Sequence, residues 1–322
     1  MMIRLSKSCI GAEEKQAVIN VLDKEYLGMG AEVLEFEKLL NNYFEREVIC
    51  VSTGTSALHL ALQAVGIGKG DEVLVQSLTY LASFQAISAT GAKPVPCDID
   101  INNLCIDVKD CETKITKRTK AIMPVHYSGG VGRLKDIYKF AKDNNLRVIE
   151  DAAHAFGTTY NEKLIGSFGD IACFSFDGIK NITSGEGGCI TTLDRSVIDN
   201  AKDARLLGVK KDSEKRYIND RSWDFDVDDQ GWRYHMSNLM AAIGIEQFKK
   251  FDQIKEKRRS LAIHYEKNLK NIKQVKTLNY NYKKIVPHIF VIILEDGLNR
   301  NDFIKYLYKL KIQAGIHYAP NH

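Results

Sequence analysis

Two side chains in this sequence are spaced to do chemistry together. Lys180 lies in Phe174-Ser175-Phe176-Asp177-Gly178-Ile179-Lys180-Asn181-Ile182-Thr183-Ser184-Gly185-Glu186-Gly187-Gly188, a short loop between apolar runs that continues into a Gly-rich turn. A lone lysine in a loop is ordinarily a solvated surface residue. An amine carried on a tightly packed turn ionises less readily and can attack a carbonyl. Asp151 ends the apolar run Val148-Ile149-Glu150-Asp151 and precedes Ala152-Ala153-His154-Ala155-Phe156-Gly157. In isolation such an acid reads equally as a turn cap, and His154 as a satisfied interior histidine. The 29 residues and single apolar run between Asp151 and Lys180 place both at one edge of a sheet.

A third segment, Ser52-Thr53-Gly54-Thr55-Ser56-Ala57-Leu58-His59-Leu60, follows an apolar run and opens a helical pattern. Gly54 allows close backbone approach. Thr55 and Ser56 bring hydroxyls to a helix N-terminus, where free amides and the dipole favour an anion. The alternative is a plain helix cap. A carbonyl-seeking amine, a carboxylate and an anion cradle together match the needs of pyridoxal phosphate (PLP). That cofactor requires an amine at its aldehyde and a carboxylate against its pyridine nitrogen, which keeps the ring protonated as an electron sink. Lys180 and Asp151 suit those tasks, and His154 is placed to bond the ring hydroxyl.

The elements that must position these residues alternate. Strands are expected at Val48–Ser52, Glu72–Gln76, Pro94–Asp98, Ala121–Val125, Arg147–Glu150, Ile171–Phe176 and Gly188–Thr192. Helical patterns fall at Ser56–Val65, Leu81–Thr90, Leu134–Asn144 and Ser196–Leu207. Such alternation implies an α/β fold with a mainly parallel sheet covered on both faces, which binds ligands at the carboxyl ends of its strands. After residue 236 the pattern changes: Ser237–Asn268 reads as one long helix or two in series, His288–Leu294 as a strand and Arg300–Leu310 as a helix. This predicts a large domain over residues 1–245, whose first residues pack with the small domain, and a smaller C-terminal α/β domain over 246–322. The last residues form no obvious finishing element, so the small domain is expected to be incomplete at its end.

Composition narrows the function. The 322 residues carry 45 basic and 41 acidic side chains, a net charge of +4 that argues against nucleic acid or an anionic membrane as partner. Seven cysteines without CxxC spacing read as reduced, mostly buried thiols, and no metal site is expected. No run of about 18 apolar residues and no signal-peptide pattern occurs. The cytoplasm is the expected location.

The segments, in this order and spacing, resemble the DegT/StrS group of PLP-dependent sugar-nucleotide aminotransferases. Leu27-Gly28-Met29-Gly30 with Phe36-Glu37 is similar to that group's entry motif. Gly54–Leu60, Gly70-Asp71-Glu72-Val73 leading to Thr79-Tyr80, Glu150–Ala155, the Ser175/Lys180/Gly185–Gly188 block and His317-Tyr318-Ala319-Pro320-Asn321-His322 complete the likeness nearly end to end. The resemblance implies the fold of the aspartate aminotransferase superfamily (fold type I), with a three-layer large domain around a mixed, mainly parallel seven-stranded sheet. It implies that Lys180 forms the Schiff base and shuttles the proton, that Asp151 pairs with the pyridine nitrogen and that His154 contacts the ring hydroxyl. Tyr80 would stack on the ring, while Gly54, Thr55, Ser56 and Ser175 would hold the phosphate. Gly231-Trp232-Arg233-Tyr234-His235-Met236 departs from the group's Gly-Tyr-Asn-Tyr-Arg-Met. Arg233 thus stands where relatives carry the asparagine that reaches the neighbouring subunit's cofactor phosphate, and it can satisfy a phosphate in its own geometry. His235 stands where relatives have arginine.

The reaction so implied moves an amino group from L-glutamate through pyridoxamine phosphate (PMP), releasing 2-oxoglutarate, to C3 or C4 of a nucleotide-linked keto-6-deoxyhexose. A dTDP-linked sugar is the first expectation and a UDP- or GDP-linked 4-keto sugar the alternative. A homodimer with shared sites and a place in surface-polysaccharide synthesis belong to the same implication. Substrate contacts are expected from the loops that hold Gly28, Met29, Tyr127, His317, Tyr318 and His322. A dehydratase branch with histidine for the lysine is disfavoured by Lys180, and a regulatory role by the intact Asp151 and Lys180.

Overall fold

The computed structural model describes residues 2–321. Its centre is one seven-stranded sheet built from the seven apolar runs, each within two residues of its expected bounds. In chain order the first elements are α1 (Ala12–Asp23), α2 (Ala31–Phe44), β1 (Glu47–Val51), α3 (Gly54–Ala64), β2 (Glu72–Gln76), α4 (Leu81–Ala89), β3 (Lys93–Cys97), α5 (Val108–Lys114), β4 (Thr119–Met123), α6 (Leu134–Asp143) and β5 (Arg147–Asp151). A small hairpin of β6 (Thr159–Tyr160) and β7 (Lys163–Leu164) leads to β8 (Ile171–Ser175), β9 (Gly188–Thr192), α7 (Arg195–Ala204) and α8 (Asp212–Tyr217).

The sheet order is β1-β9-β8-β5-β4-β2-β3. Only β9 runs against its neighbours, β1 and β8. The reason is local. Between β8 and β9 lies only the Lys180 loop, which suffices to reverse the chain, whereas parallel neighbours need a longer crossover. Alternate residues of each central strand enter opposite layers. Val148, Ala172 and Phe174 pack with Phe36, Leu40 and Phe44 of α2 and with Ile137 and Phe140 of α6. Ile149, Ile171 and Cys173 face Leu58 and Leu62 of α3 and Ile87 of α4. This period-2 division of apolar side chains is what makes three layers.

β4 ends at Met123, two residues before its expected limit. The next residue, Pro124, has no amide to donate to a ladder. Of the two readings of Ser237–Asn268, two helices in series is the one observed, α9 (Asn238–Lys249) and α10 (Phe251–Leu269), with Ser237 capping α9 through the amide of Met240 at 3.3 Å. The expected strand at His288–Leu294 is confined to β11 (Ile292–Leu294), which pairs with β10 (Val275–Thr277). Its first part is drawn away, since the amide of His288 bonds the carbonyl of Ser128 at 3.0 Å. The last helix is α11 (Arg300–Lys309). Residues near both ends of the chain meet, with Ile3 donating to Lys311 O at 2.8 Å and accepting from Gln313 at 2.9 Å. The helices α1 and α2 were not anticipated. No helix among the described residues is long and apolar enough to cross a membrane.

Candidate active site

The carboxyl ends of β5 and β8 lie side by side, because the two strands pair in parallel with Asp151 opposite Cys173. Asp151 is therefore the last strand residue on one side of a crevice, and Ser175 and the Lys180 loop follow on the other. Asp151 is only 5% exposed. Its Oδ2 accepts from Ser83 Oγ at 2.7 Å and its Oδ1 from the amide of Ala153 at 3.2 Å. Among the described residues no cationic side chain lies within ion-pair distance of it.

The loop that carries Lys180 is held from several sides. Phe176 donates to Gly187 O and Ser184 donates to Phe176 O, both at 2.8 Å, which closes its base. Asn181 Nδ2 donates to Phe156 O at 3.1 Å and Val286 O at 3.2 Å, and Ser8 Oγ to Gly178 O at 2.6 Å. Arg258, from α10, reaches the carbonyls of Ile179 and Lys180 with Nη2 and those of Pro287 and His288 with Nη1. The Lys180 side chain is half-buried and has no hydrogen-bond or ion-pair partner among the described residues. Burial lowers its pKa below the usual lysine value, against the opposing pull of Asp151 and then Asp177. The result is an amine on a braced loop, with reduced hold on its proton and close enough to Asp151 to feel its charge.

The anion cradle assembles from two segments. A Cβ on Gly54 would lie 2.7 Å from Ser175 Cβ and 3.1 Å from its Oγ. A Cβ on Gly188 would lie 2.7 Å from the Gly54 nitrogen. Only glycines let the start of α3 and the end of β8 approach so closely. Gly54 and Thr55 open α3, and their amides have no acceptor within the helix. Ser56 is differently engaged. Its amide donates to Thr53 Oγ1 at 3.0 Å and its Oγ accepts from the Thr53 amide at 2.9 Å, a capping box.

His154 lies beside this crevice, with Nδ1 accepting from the Ser128 amide at 3.2 Å and Nε2 3.3 Å from the Tyr318 hydroxyl. Burial, then the charges of Lys180, His288 and His317, hold its pKa well below the usual histidine value. It is thus neutral, and the Ser128 contact assigns its proton to Nε2. His288 packs on it at 4.4 Å between ring centroids. Tyr80, 59% exposed at the start of α4, has its ring centroid 5.5 Å from that of Tyr318. Tyr127 is buried and donates to His317 O. Asn321 bonds Ser77 O at 2.9 Å through its amide and Thr79 O at 2.7 Å through Nδ2, so residues 317–321 lie across this edge of the sheet. His322 lies outside the described residues.

Other expected positions are elsewhere. Met29 is fully buried, 0% exposed among Val33, Phe36 and Leu40, so it is a core residue and not a substrate contact. Gly28 is exposed, with its carbonyl accepting from Asn238 at 2.8 Å. Arg233 is exposed on a strip that bridges Leu206, while His235 two residues on bridges Val51. Burial, then Arg233, Arg216 and Arg205, bring the His235 pKa down to about 4. Ser83, Arg258 and His288 were not anticipated as site residues. The one sequence signal for Ser83 is a serine one helical turn after Thr79, on the face that also buries Phe84 and Ile87. Beside the Lys180 loop is a cavity of about 650 Å³ whose walls include Arg4, Lys7, Arg258, His288 and His317 and no acidic side chain.

PLP fits these residues. Among the described residues the amine has no partner and the nearby buried carboxylate no cation, and the cradle at Gly54 is space that any Cβ would fill. Comparison with known proteins agrees. The family model of the DegT/DnrJ/EryC1/StrS aminotransferases matches residues 8–322. GDP-perosamine synthase of Escherichia coli O157:H7 is 40% identical over 267 residues, which cover 82% of this chain and 70% of that one. The UDP-4-amino-4-deoxy-L-arabinose–oxoglutarate aminotransferase of Shewanella sediminis is 34% identical over 325 residues, 99% of this chain and 83% of that one. A putative sugar aminotransferase of Streptococcus pneumoniae in its PLP form superposes with a TM-score of 0.90 at 27% identity, covering 100% of this chain and 86% of that one. The same protein has also been solved in a PMP form. Likeness over this much of the chain, in sequence and in fold, is more than one shared motif can produce: the chain belongs to the DegT/DnrJ/EryC1/StrS aminotransferase family, and its cofactor is pyridoxal phosphate.

Proposed function

We propose that this protein transfers an amino group from L-glutamate to a keto group of a nucleotide-linked sugar. The observation that carries the reading is the half-buried amine of Lys180, without a partner among the described residues, at the same strand edge as Asp151. When bound, PLP supplies an aldehyde that takes up the amino group and a pyridinium ring that accepts electrons from the donor's Cα–H bond. Asp151 would pair with the ring nitrogen and keep it protonated. The amides of Gly54 and Thr55 and the hydroxyls of Thr55 and Ser175 would hold the phosphate, with Ser56 shaping the cap beneath them. His154 would offer its Nε2–H to the ring hydroxyl oxygen, and Tyr80 would cover the ring.

Lys180 Nζ takes the proton from the donor Cα, and its lowered pKa favours the free-base form that the transfer needs. In the second half of the cycle the same atom delivers a proton to the carbon that bore the keto oxygen. The cationic cavity walls suit the phosphates of a nucleotide sugar or the carboxylates of glutamate. Gly28, His317, Tyr318 and His322 are the proposed substrate contacts. In a homodimer Arg233 would reach the partner subunit's cofactor phosphate.

The acceptor expected from the sequence is a dTDP-linked keto-6-deoxyhexose aminated at C3 or C4. The names of the relatives, one GDP-linked and one a UDP-linked 4-amino sugar, favour a GDP- or UDP-linked 4-keto sugar. The test incubates the PLP-loaded protein with glutamate and dTDP-, UDP- and GDP-linked keto sugars and follows 2-oxoglutarate. Turnover of one of them is expected. A protein that cannot be reconstituted with PLP overturns the reading.

A further inference from the structure

Ser83 makes an unusual contact for a helical serine. It is 0% exposed, in the first turn of α4. A serine inside a helix ordinarily turns its hydroxyl back to the carbonyl four residues earlier. Here that carbonyl, Thr79 O, already accepts from Asn321 Nδ2 at 2.7 Å. Ser83 Oγ instead crosses to Asp151 Oδ2 at 2.7 Å, with Thr79 Oγ1 2.9 Å away on its other side.

The direction of this chain follows from proton counting. An ionised carboxylate only accepts, and a serine hydroxyl has one proton. That proton goes to Asp151, so Thr79 must be the donor to Ser83. The sequence is Thr79 O–H to Ser83 O–H to the Asp151 carboxylate, each bond strengthening the next. The other carboxylate oxygen has only the longer 3.2 Å contact from the Ala153 amide. Ser83 therefore makes the shorter of the two contacts that fix rotation of this carboxylate, and it is the only side chain among the described residues that bonds it.

We propose that Ser83, backed by Thr79, is a positioning residue that sets the Asp151 carboxylate toward the pyridine nitrogen of the cofactor. The inference rests on the reading of Asp151 as the partner of that nitrogen. Removal of Ser83 leaves a buried carboxylate oxygen without its donor and the group free to turn. The loss is therefore felt at the ring nitrogen and not at the phosphate or the aldehyde.

The test compares the dissociation constants of PLP and of its 1-deaza analogue, in which carbon replaces the ring nitrogen. The proteins are wild type, Ser83→Ala, Ser83→Thr and Thr79→Val. Wild type should prefer PLP. Ser83→Ala should weaken PLP by about tenfold or more, the size of a charge-assisted hydrogen bond. It should leave the analogue's affinity close to wild type. Ser83→Thr should restore the preference. Thr79→Val should weaken it in the same sense by less, and it carries the test if Ser83→Ala does not fold. A Ser83→Ala protein that discriminates as wild type does overturns the role of Ser83. A wild type that binds PLP and the analogue equally overturns the assignment of Asp151 itself.

Discussion

Two buried polar clusters in this molecule treat charge in opposite ways. At Arg205 everything is matched. Nη1 donates to Glu37 Oε1 at 2.6 Å and Cys50 O at 2.7 Å, Nε and Nη2 reach Ser213 Oγ, and Nη2 also reaches Tyr217 at 2.7 Å. Glu37 further accepts from the Cys50 amide at 2.7 Å and from the Tyr217 hydroxyl. All five guanidinium N–H groups are used, and the side chain is 0% exposed. At the other cluster Asp151 is nearly as deep and Lys180 is half-buried, yet among the described residues the amine has no partner and the carboxylate has no cation. The closed cluster ties α2, β1, α7 and α8 together. The open one has unfilled hydrogen-bonding capacity, and that is where a ligand can gain binding energy. Burial of charge is common to both, so unfilled capacity is what distinguishes a site from a brace.

The sharpest break of this comparison is at Lys180. Lys180→Ala should abolish the violet-edge absorption of the lysine-bound cofactor and lower transamination by about 10⁴-fold. The thermal midpoint of the cofactor-free protein should not fall, because the half-buried amine that is removed has no partner among the described residues. Activity within tenfold of wild type would show that the open cluster is not the site.

The closed cluster should respond the other way. Arg205→Met leaves Glu37 buried and unpaired and should cost about 3–5 kcal/mol of stability in urea unfolding. Adding Glu37→Leu should recover much of that loss. If the single variant costs under about 1 kcal/mol, the cluster is not the brace described.

Acid should damage the open region through its histidines. His154 and His288 are held well below the usual histidine pKa, mainly by burial. The folded state therefore refuses protons that the unfolded chain takes up below about pH 6.5, and stability falls as pH drops. Each such histidine contributes up to about 1.4 kcal/mol per pH unit in that range. Unfolding free energies between pH 7 and 5 should fall less steeply for His288→Asn than for wild type. Equal slopes would remove His288 from the account.

The smallest effect is expected at Arg233, an exposed residue. Arg233→Ala should reduce PLP retention no more than about fivefold, in keeping with exposed charge contacts. Unchanged retention would exclude Arg233 from the phosphate site.

The parts of this design that were readable from sequence are those set by local pattern. Alternating apolar runs bounded all seven strands of the main sheet, and Asp151 and Lys180 followed from strand ends. What was hidden depends on distant partners. Ser83 looks like any helical serine until β5 is laid beside α4. Arg258 meets Lys180 across 78 residues. Met29, flanked by glycines, read as a loop contact, but the fold turns it into the core. Ser56 read as a phosphate ligand or a cap with equal right, and its hydroxyl and amide are committed to Thr53. α2 has Phe36, Leu40 and Phe44 at helical spacing, a signal that was present and passed over.

Arg258 gives the molecule a mechanical property. One guanidinium grips two stretches of backbone, residues 179–180 and 287–288, from a helix that belongs to neither. Any rocking of α10 is thereby transmitted as a pull on the main chain beneath the reactive amine. Lysine in its place, with a single compact ammonium, could not keep hold of both. The reach of Lys180 is tuned by a joint far along the chain, and drift in the C-terminal half would be felt as a change in where one nitrogen atom points.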